Sequence, residues 1–311
     1  MQTVSMIVPC FNEQESVPIY FDAITKVFED PQMRDYSLEL WLIDDGSSDA
    51  TLTELKKLNT QHPETAHYIS FSRNFGKESA ILAGLQAATG EIVGLMDVDL
   101  QDPPELLPKM LRELRTGEYD TIGTRRVGRE GEPAFRSFLS NLFYKLINKI
   151  SKVEIIPNAR DYRVMNRKVV EAVLDMPEIN RFSKGIFSWV GFKTKYLDFE
   201  NRERVAGNTS WSLWQLFEYS LEAIIDFSAA PLAIASFVGI LACVISVIAV
   251  IFIIFRTIFF GDTTAGWPSL AAIILFIGGI QLFCLGILGN YVGRIYSESK
   301  HRPIYIINEK K

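Results

Sequence analysis

Cysteine and histidine are scarce, with three of each in 311 residues. Cys10, Cys243 and Cys284 make no disulfide framework, and each sits in or ends an apolar run as a small apolar filler. His62, His67 and His301 are scattered, none pairs with a Cys or Ser in a triad pattern, and all three read as structural. Ser47 and Ser48 likewise lack a base partner. A basic excess is missing too. The net charge is −5, which argues against a nucleic-acid partner. No Gly-x-Gly-x-x-Gly and no Walker loop occurs, so any phosphate must be held otherwise than in a glycine cradle. There is no repeat and no low-complexity segment. No basic start with a cleavage site precedes the first apolar residues, so the N-terminal part is expected to stay in the cytoplasm.

Hydrophobicity is unevenly spread. No charged residue occurs from Pro231 to Phe255, nor from Ser269 to Val292. Each run exceeds the ~20 helical residues that cross a hydrocarbon core. The connection Arg256–Pro268 is short, so the spans form a hairpin. Arg294, Lys300, Arg302, Lys310 and Lys311 follow the second span, whereas the loop between the spans has only Arg256, at its edge. The basic bias places both termini in the cytoplasm and the chain, multi-pass, in an inner or plasma membrane. The alternative is a buried helical hairpin of a soluble protein.

The first 130 residues alternate apolar runs with amphipathic stretches. Strands are expected at Val4–Val8, Leu38–Ile43, Tyr68–Phe71, Ile92–Met96 and Asp120–Gly123. Helices are expected at Glu15–Phe28, Thr51–Leu58, Lys77–Ala88 and Glu105–Arg115. This alternation predicts an α/β fold with a mostly parallel sheet, whose ligands sit at the carboxyl ends of strands. Residues 134–152 then carry Phe135, Phe138, Leu139, Leu142, Phe143, Leu146, Ile147 and Ile150 at helical spacing, bordered by Arg136, Lys145, Lys149 and Lys152. That pattern suits an interfacial helix or one packed on the sheet. Residues 211–230 give a second amphipathic helix just before the first span.

The residues that carry chemistry lie at strand ends. Val8-Pro9-Cys10-Phe11-Asn12-Glu13 closes the first strand, Ile43-Asp44-Asp45-Gly46-Ser47-Ser48-Asp49 the second, and Asp97-Val98-Asp99-Leu100-Gln101-Asp102 follows Ile92–Met96. Alternation along a strand puts Asp97 and Asp99 on one side. Two hard oxygen ligands suit Mg²⁺ or Mn²⁺, which finishes its shell with substrate phosphates. Taken singly, each stretch could be an acidic turn or a helix cap. Three acidic ends in one sheet repel unless they meet a cation or a donor-rich ligand. A nucleoside diphosphate with its divalent ion supplies both.

Val8–Glu13, Asp44–Asp49, Arg73-Asn74-Phe75-Gly76-Lys77 and Asp97–Glu105, in this order and followed by a hairpin, resemble family 2 glycosyltransferases of the GT-A fold. Within that family the chain is similar to polyprenyl-phosphate glycosyltransferases, namely bactoprenol glucosyltransferases and dolichyl-phosphate mannose synthases with a membrane hairpin. The resemblance implies a GT-A domain over 1–210, a juxtamembrane helix over 211–230, a transmembrane hairpin over 231–293 and a cytoplasmic tail over 294–311. It implies that Pro9, Phe11, Glu13, Asp44 and Asp45 contact the nucleotide sugar. Asp97, Asp99 and Gln101 would bind the metal or, through it, the diphosphate. Arg204 would close over the diphosphate, in a segment where the family often has Lys and this chain has Thr209 or Ser212. Asp161, in Arg160-Asp161-Tyr162-Arg163, matches a position proposed as base. It could equally orient a cation or the acceptor, or form a salt bridge with Arg160 or Arg163. Arg125, Arg126, Arg129 and Arg136 fall in the region that receives the lipid phosphate, and Phe182 and Lys184 in the acceptor segment.

The implied reaction is an inverting transfer of one hexose to undecaprenyl or another polyprenyl phosphate. UDP-glucose is the first choice of donor; GDP-mannose, UDP-N-acetylglucosamine and UDP-galactose are alternatives. A phosphate monoester is largely dianionic near neutrality, its second pKa being ~6, so it needs placement more than a base. Arginine, with its planar fork, suits that task. The rival readings are a polysaccharide-extending synthase, against which stands the lack of a Gln-x-x-Arg-Trp stretch, and a membrane scaffold or transporter with a nucleotide-sensing domain. Expected partners are the nucleotide sugar, the lipid and the membrane; a homo-oligomer is compatible with all of these.

Overall fold

The computed structural model describes residues 1–127, 148, 156–176, 178–200, 230–260 and 266–311. Two compact units divide the chain. One comprises 1–149, 153–220 and 303–311, and the other 150–152 and 221–302.

The first unit is built on β1 (Gln2–Cys10), β2 (Tyr36–Asp44), β3 (Ala66–Phe71), β4 (Ile92–Leu95), β5 (Thr121–Val127), β6 (Ala159–Asn166), β7 (Thr194–Glu200) and β8 (Ile307–Lys310). They form one sheet in the order β7-β5-β6-β4-β1-β2-β3-β8. The centre, β4-β1-β2-β3, is parallel. Its strands are nearly continuous apolar runs because helices cover both faces; Val4, Met6, Ile7, Val8, Leu40 and Ile43 are wholly buried. The flanks mix directions. β6 runs antiparallel to β4 and to β5, β7 runs parallel to β5, and β8 is antiparallel to β3.

Helices α1 (Ser16–Phe28), α2 (Thr51–Gln61), α3 (Lys77–Ala87) and α4 (Leu107–Arg115) are the crossovers. Pro104 opens a 3₁₀ turn, Pro104–Leu106, before α4, because proline suits a first turn whose N–H groups have no partner. The helix α3 packs hard on β1. A Cβ on Gly84 would lie 2.2 Å from Ile7 Cγ2, so only glycine lets the two backbones approach. Two further helices, α5 (Arg167–Leu174) and α6 (Ser183–Trp189), follow β6. Asn166 caps α5, its side chain accepting from Val169 N at 3.1 Å.

The expected tail is partly a strand. Tyr68 N donates to Lys311 O at 2.8 Å and Ser72 N to Ile306 O at 3.0 Å. Tyr305 stacks on Phe71 with ring centroids 4.8 Å apart, and Lys56 Nζ meets Glu309 Oε1 at 2.7 Å.

The second unit contains α7 (Ala230–Phe260) and α8 (Trp267–Ser299). Pro231–Ala249, of mean hydropathy 2.7, and Phe276–Ser299, of mean hydropathy 1.5, are each long and apolar enough to cross a membrane. Their apolar side chains point outward: Phe237, Ile248, Phe252, Phe276 and Leu282 are all exposed. The two helices touch, with Cys284 Sγ 3.5 Å from Ala235 O. The expected amphipathic helices at 134–152 and 211–230 lie outside the described residues.

Candidate active site

At the carboxyl ends of β1, β2 and β4 lies a cleft of about 330 Å³, lined by Pro9, Cys10, Phe11, Glu13, Asp45, Asn74, Gly76, Lys77, Asp97, Val98 and Asp99. Three chain segments expected from the sequence to meet therefore do meet, and the loop Arg73–Lys77 joins them.

The first two loops are tied together. Asn12 holds a left-handed φ of 55°, which places its Oδ1 to accept from Ser48 N at 2.8 Å while its N–H donates to Ser47 Oγ at 2.9 Å. Glu13 N donates to Thr51 Oγ1 at 2.8 Å, and the Glu13 carboxylate accepts from Ser16 Oγ at 2.6 Å. Asp44 is buried and accepts from Ser47 N and from Ser70 Oγ. It thus holds the turn in place and is not among the residues lining the cleft, unlike Asp45. Asp45 accepts from Phe75 N at 2.6 Å and from Gly76 N at 2.9 Å. Burial raises its pKa despite these bonds; Asp44 raises it further, and Arg73 opposes the shift. The nearby Cys10 thiol is pushed up by burial and then by Glu13, Asp44, Asp49 and Asp97, so it stays protonated.

Asp97 and Asp99 face the same cleft, though for a different reason than strand alternation. The strand β4 ends at Leu95, and the aspartates lie in the turn beyond it, where Leu100 adopts φ 54°. Asp99 Oδ1 accepts from Gln101 N at 3.2 Å. Gln101 Oε1 takes a bond from Arg160 Nη2 at 3.3 Å, and Arg160 Nε meets Asp102 Oδ1 at 3.0 Å. Burial pushes the Asp102 carboxyl up to about 6, with Arg160 opposing and Asp97 and Asp99 adding to the rise.

Asp161 lies on β6 and is paired with neither neighbouring guanidinium. Arg163 Nε donates to the Asp161 backbone carbonyl, while the Asp161 carboxylate meets Lys77 Nζ at 2.6 Å. The same Nζ meets Asp97 Oδ1, also at 2.6 Å. Burial alone would raise the Asp161 carboxyl, but Lys77, then Lys184, then Arg163 hold it well below the usual carboxylate range. The expected Lys184 thus acts on this carboxylate from α6. Next to Lys77, Glu78 accepts from Ser183 N at 3.0 Å and also from Ser183 Oγ, which fixes the start of α6.

Arg125 forms a two-point pair with Asp198 across the β5–β7 register, at 2.8 and 3.0 Å. Arg126 is the next residue on the same strand, and Arg129, Arg136 and Arg204 lie outside the described residues. The sequence motif Arg73–Lys77 includes Lys77 without assigning it a role, and neither Glu78 nor Asp198 stood out. Lys77 could have been found, because a cation in the strand-end loop Arg73–Lys77, facing three acidic ends, is a natural counter-ion.

Among the described residues no group of three or more Asp, Glu, His or Cys side chains is set to hold a metal unaided. The donor set nevertheless fits Mg²⁺ or Mn²⁺ in company with a diphosphate. Asp97 and Asp99 offer hard oxygens on one wall, and such ions keep much of their shell for water and phosphate.

A cleft at the carboxyl ends of a parallel sheet is where α/β enzymes bind their ligands, and this one is walled by carboxylates. Residues 5–174 match the family model Glycosyl transferase family 2. The chain is 42% identical over 308 residues to the Prophage bactoprenol glucosyl transferase homolog of Escherichia coli (strain K12), covering 99% of each. It is 41% identical to the Bactoprenol glucosyl transferase of Shigella phage SfV, again over 99% of each. To the Putative glycosyltransferase CsbB of Bacillus subtilis (strain 168) it is 40% identical, over 98% of this chain and 91% of that one. The glucosyl-3-phosphoglycerate synthase of Mycobacterium tuberculosis, solved with Mn²⁺, UDP-glucose and phosphoglyceric acid, is 21% identical with a TM-score of 0.48, over 72% of this chain and 78% of that one. The protein belongs to glycosyl transferase family 2 and is a glycosyltransferase.

Proposed function

We propose that the enzyme transfers glucose from UDP-glucose to a polyprenyl phosphate such as undecaprenyl phosphate, with inversion, at the cytoplasmic face of a membrane. The observation that carries this reading is the acidic cleft at the ends of β1, β2 and β4, joined by Lys77 to Asp161. The names of the relatives that match over nearly the whole chain favour glucose and bactoprenol.

Pro9, Phe11 and Glu13 form the part of the cleft suited to a nucleoside. The half-exposed Phe11 offers a ring face, and Glu13 and Asp45 accept from ribose hydroxyls and base N–H groups. Asp97 and Asp99 would hold Mg²⁺ or Mn²⁺, with Gln101 adjoining. When bound, the ion offsets charge on the departing diphosphate. Asp161 orients the groups that meet the acceptor. A carboxyl held so far down is a poor proton acceptor, and a phosphate dianion does not require one. Lys184 and Arg125, with Arg126, Arg129 and Arg136 nearby in sequence, would receive the lipid phosphate, and Arg204 would close over the diphosphate.

The membrane topology has independent support from β8. A sheet cannot be split across a bilayer, since its backbone groups need partners. β1 from the start of the chain and β8 from its end share one sheet, so the chain between them crosses an even number of times. Two spans satisfy this, and the basic residues after the second favour the cytoplasm.

The test is to incubate the purified chain with UDP-[¹⁴C]glucose, undecaprenyl phosphate and Mg²⁺ or Mn²⁺, followed by solvent extraction. Label in an acid-labile, organic-soluble product is expected. Label confined to polymer, or label incorporated only from another nucleotide sugar, refutes the assignment.

A further inference from the structure

We propose that Lys77 is a resident counter-ion that occupies the metal corner until the donor arrives, making divalent-ion binding conditional on the nucleotide diphosphate. This rests on the functional reading above and adds a positioning residue to it.

Glu13, Asp45, Asp97 and Asp99 line the cleft, and among the described residues Lys77 is the one cation that lines it. Its ammonium lies 2.6 Å from Asp97 Oδ1 and 2.6 Å from Asp161 Oδ2. One cation thus neutralises carboxylates from two elements, the turn after β4 and the strand β6. An ammonium and a dication cannot share Asp97 Oδ1 without strong repulsion. While Lys77 holds Asp97, that carboxylate is a poor metal ligand.

The location of Lys77 supplies a way out. It is the first residue of α3, directly after Gly76 at φ 95°, and its side chain is 43% exposed. A lysine there is a flexible point charge with three donors, suited to phosphate oxygens. A diphosphate entering the cleft gives Lys77 an anion to follow. Asp97 is then released to the divalent ion and Asp161 toward the acceptor side. Asp45 anchors the backbone of this loop through Phe75 N and Gly76 N, and Glu78 anchors Ser183. The side chain can therefore move while its loop stays put.

The test measures Mn²⁺ binding by electron paramagnetic resonance of the free ion, using the full chain in detergent with and without UDP. Wild type is expected to bind Mn²⁺ weakly alone and on the order of tenfold more tightly with UDP. Lys77→Met should bind Mn²⁺ alone on the order of tenfold more tightly than wild type, with little further gain from UDP. Lys77→Arg keeps a cation and should behave like wild type without UDP. Thermal melting of each variant checks folding. Equal Mn²⁺ affinity of wild type and Lys77→Met without UDP overturns the counter-ion role, as does a Lys77→Arg variant that binds as tightly as Lys77→Met. If wild type binds no Mn²⁺ even with UDP, the metal reading of the site fails as well, and that outcome is distinct from the other two.

Discussion

Gly46→Ala tests the architecture of the cleft at its tightest point. Gly46 holds φ +67° in the turn after β2, and a Cβ built there would lie 2.3 Å from Arg73 C, 2.6 Å from Asn74 N and 2.7 Å from Arg73 O. These are backbone atoms, so no rotamer change relieves the contact. The left-handed conformation costs an alanine about 1 kcal/mol, and overpacking adds about 1–3 kcal/mol. Gly117 is the control. It has φ +73°, yet nothing lies within 4 Å of its would-be Cβ. Thermal unfolding of the purified full chain should therefore fall by roughly 4–16 °C for Gly46→Ala and by roughly 2–4 °C for Gly117→Ala. Calorimetric titration should also show weaker UDP binding for Gly46→Ala alone, because the displaced segment carries Phe75, Gly76 and Lys77. Equal melting shifts in the two variants would refute the close approach of the two loops.

Asp99→Asn should lower sugar transfer by about 100-fold or more while membrane insertion is kept. A native rate for this variant in chelator-treated membranes sinks the metal role. Arg125→Gln should raise KM for the lipid phosphate by about tenfold, whereas Asp198→Asn should leave it unchanged or lower it. Equal rises would reduce the pair to a clamp between β5 and β7. Glu39 accepts from Ser5 Oγ, Thr89 N and Thr89 Oγ1; burial pushes its carboxyl up, but these bonds bring it below its usual 4.5. The stability it contributes is present above pH 4.5 and lost as pH falls through the lower folded value. Glu39→Gln should thus cost about 1 kcal/mol near neutrality, and its melting deficit should shrink as pH falls below 4.5; a deficit independent of pH counts against the assignment.

The parallel centre of the sheet was legible because burial on both faces writes itself as apolar runs. The expected strands at 4–8, 38–43, 68–71 and 92–96 fall within a residue or two of those observed, or inside them. Of the flanks, β5 was legible, the expected strand at 120–123 overlapping Thr121–Val127; β6 and β8 were not, for local reasons. The strand β6 reads ARDYRVMN, with charges at three positions. Its Arg163 is nevertheless buried, because the guanidinium lies 4.1 Å from the centre of the Phe187 ring and donates to backbone carbonyls. The strand β8 reads INEK and has no apolar run at all. It is held by the unpaired edge of β3 and by Tyr305 on Phe71, partners more than 230 residues away in sequence. Within the site, residue types pointed to the acids and their clustering, while hydrogen-bond partners decided what each does. Asp44 and Asp45 are adjacent and chemically identical, yet one is consumed by Ser47 and Ser70 and the other reaches the cleft.

Charge stoichiometry also limits the form in which a donor can enter. Among the described residues, four carboxylates and one ammonium leave the lining of the cleft three charges negative when all are ionised. A bare nucleotide sugar, with about two negative charges on its diphosphate, would deepen that field and be repelled. The same donor paired with a dication is neutral overall and enters without a change in the total. The acceptor phosphate of the proposed reaction is also anionic. Near the acids, Arg160 is already engaged by Asp102 and Gln101 and Arg73 lies over the Phe75 ring, whereas Arg125 and Arg126 lie on β5 and Lys184 on α6. On the proposed function, acids at the ends of β1, β2 and β4 would face the donor with its dication, and bases on β5 and α6 the acceptor phosphate. Asp161 stands on β6 between them, within reach of Lys77 on one side and of the field of Lys184 on the other. A single carboxylate in that position senses both substrates, and for this reason Lys77 and Asp161 should couple in a double-mutant cycle on transfer rate.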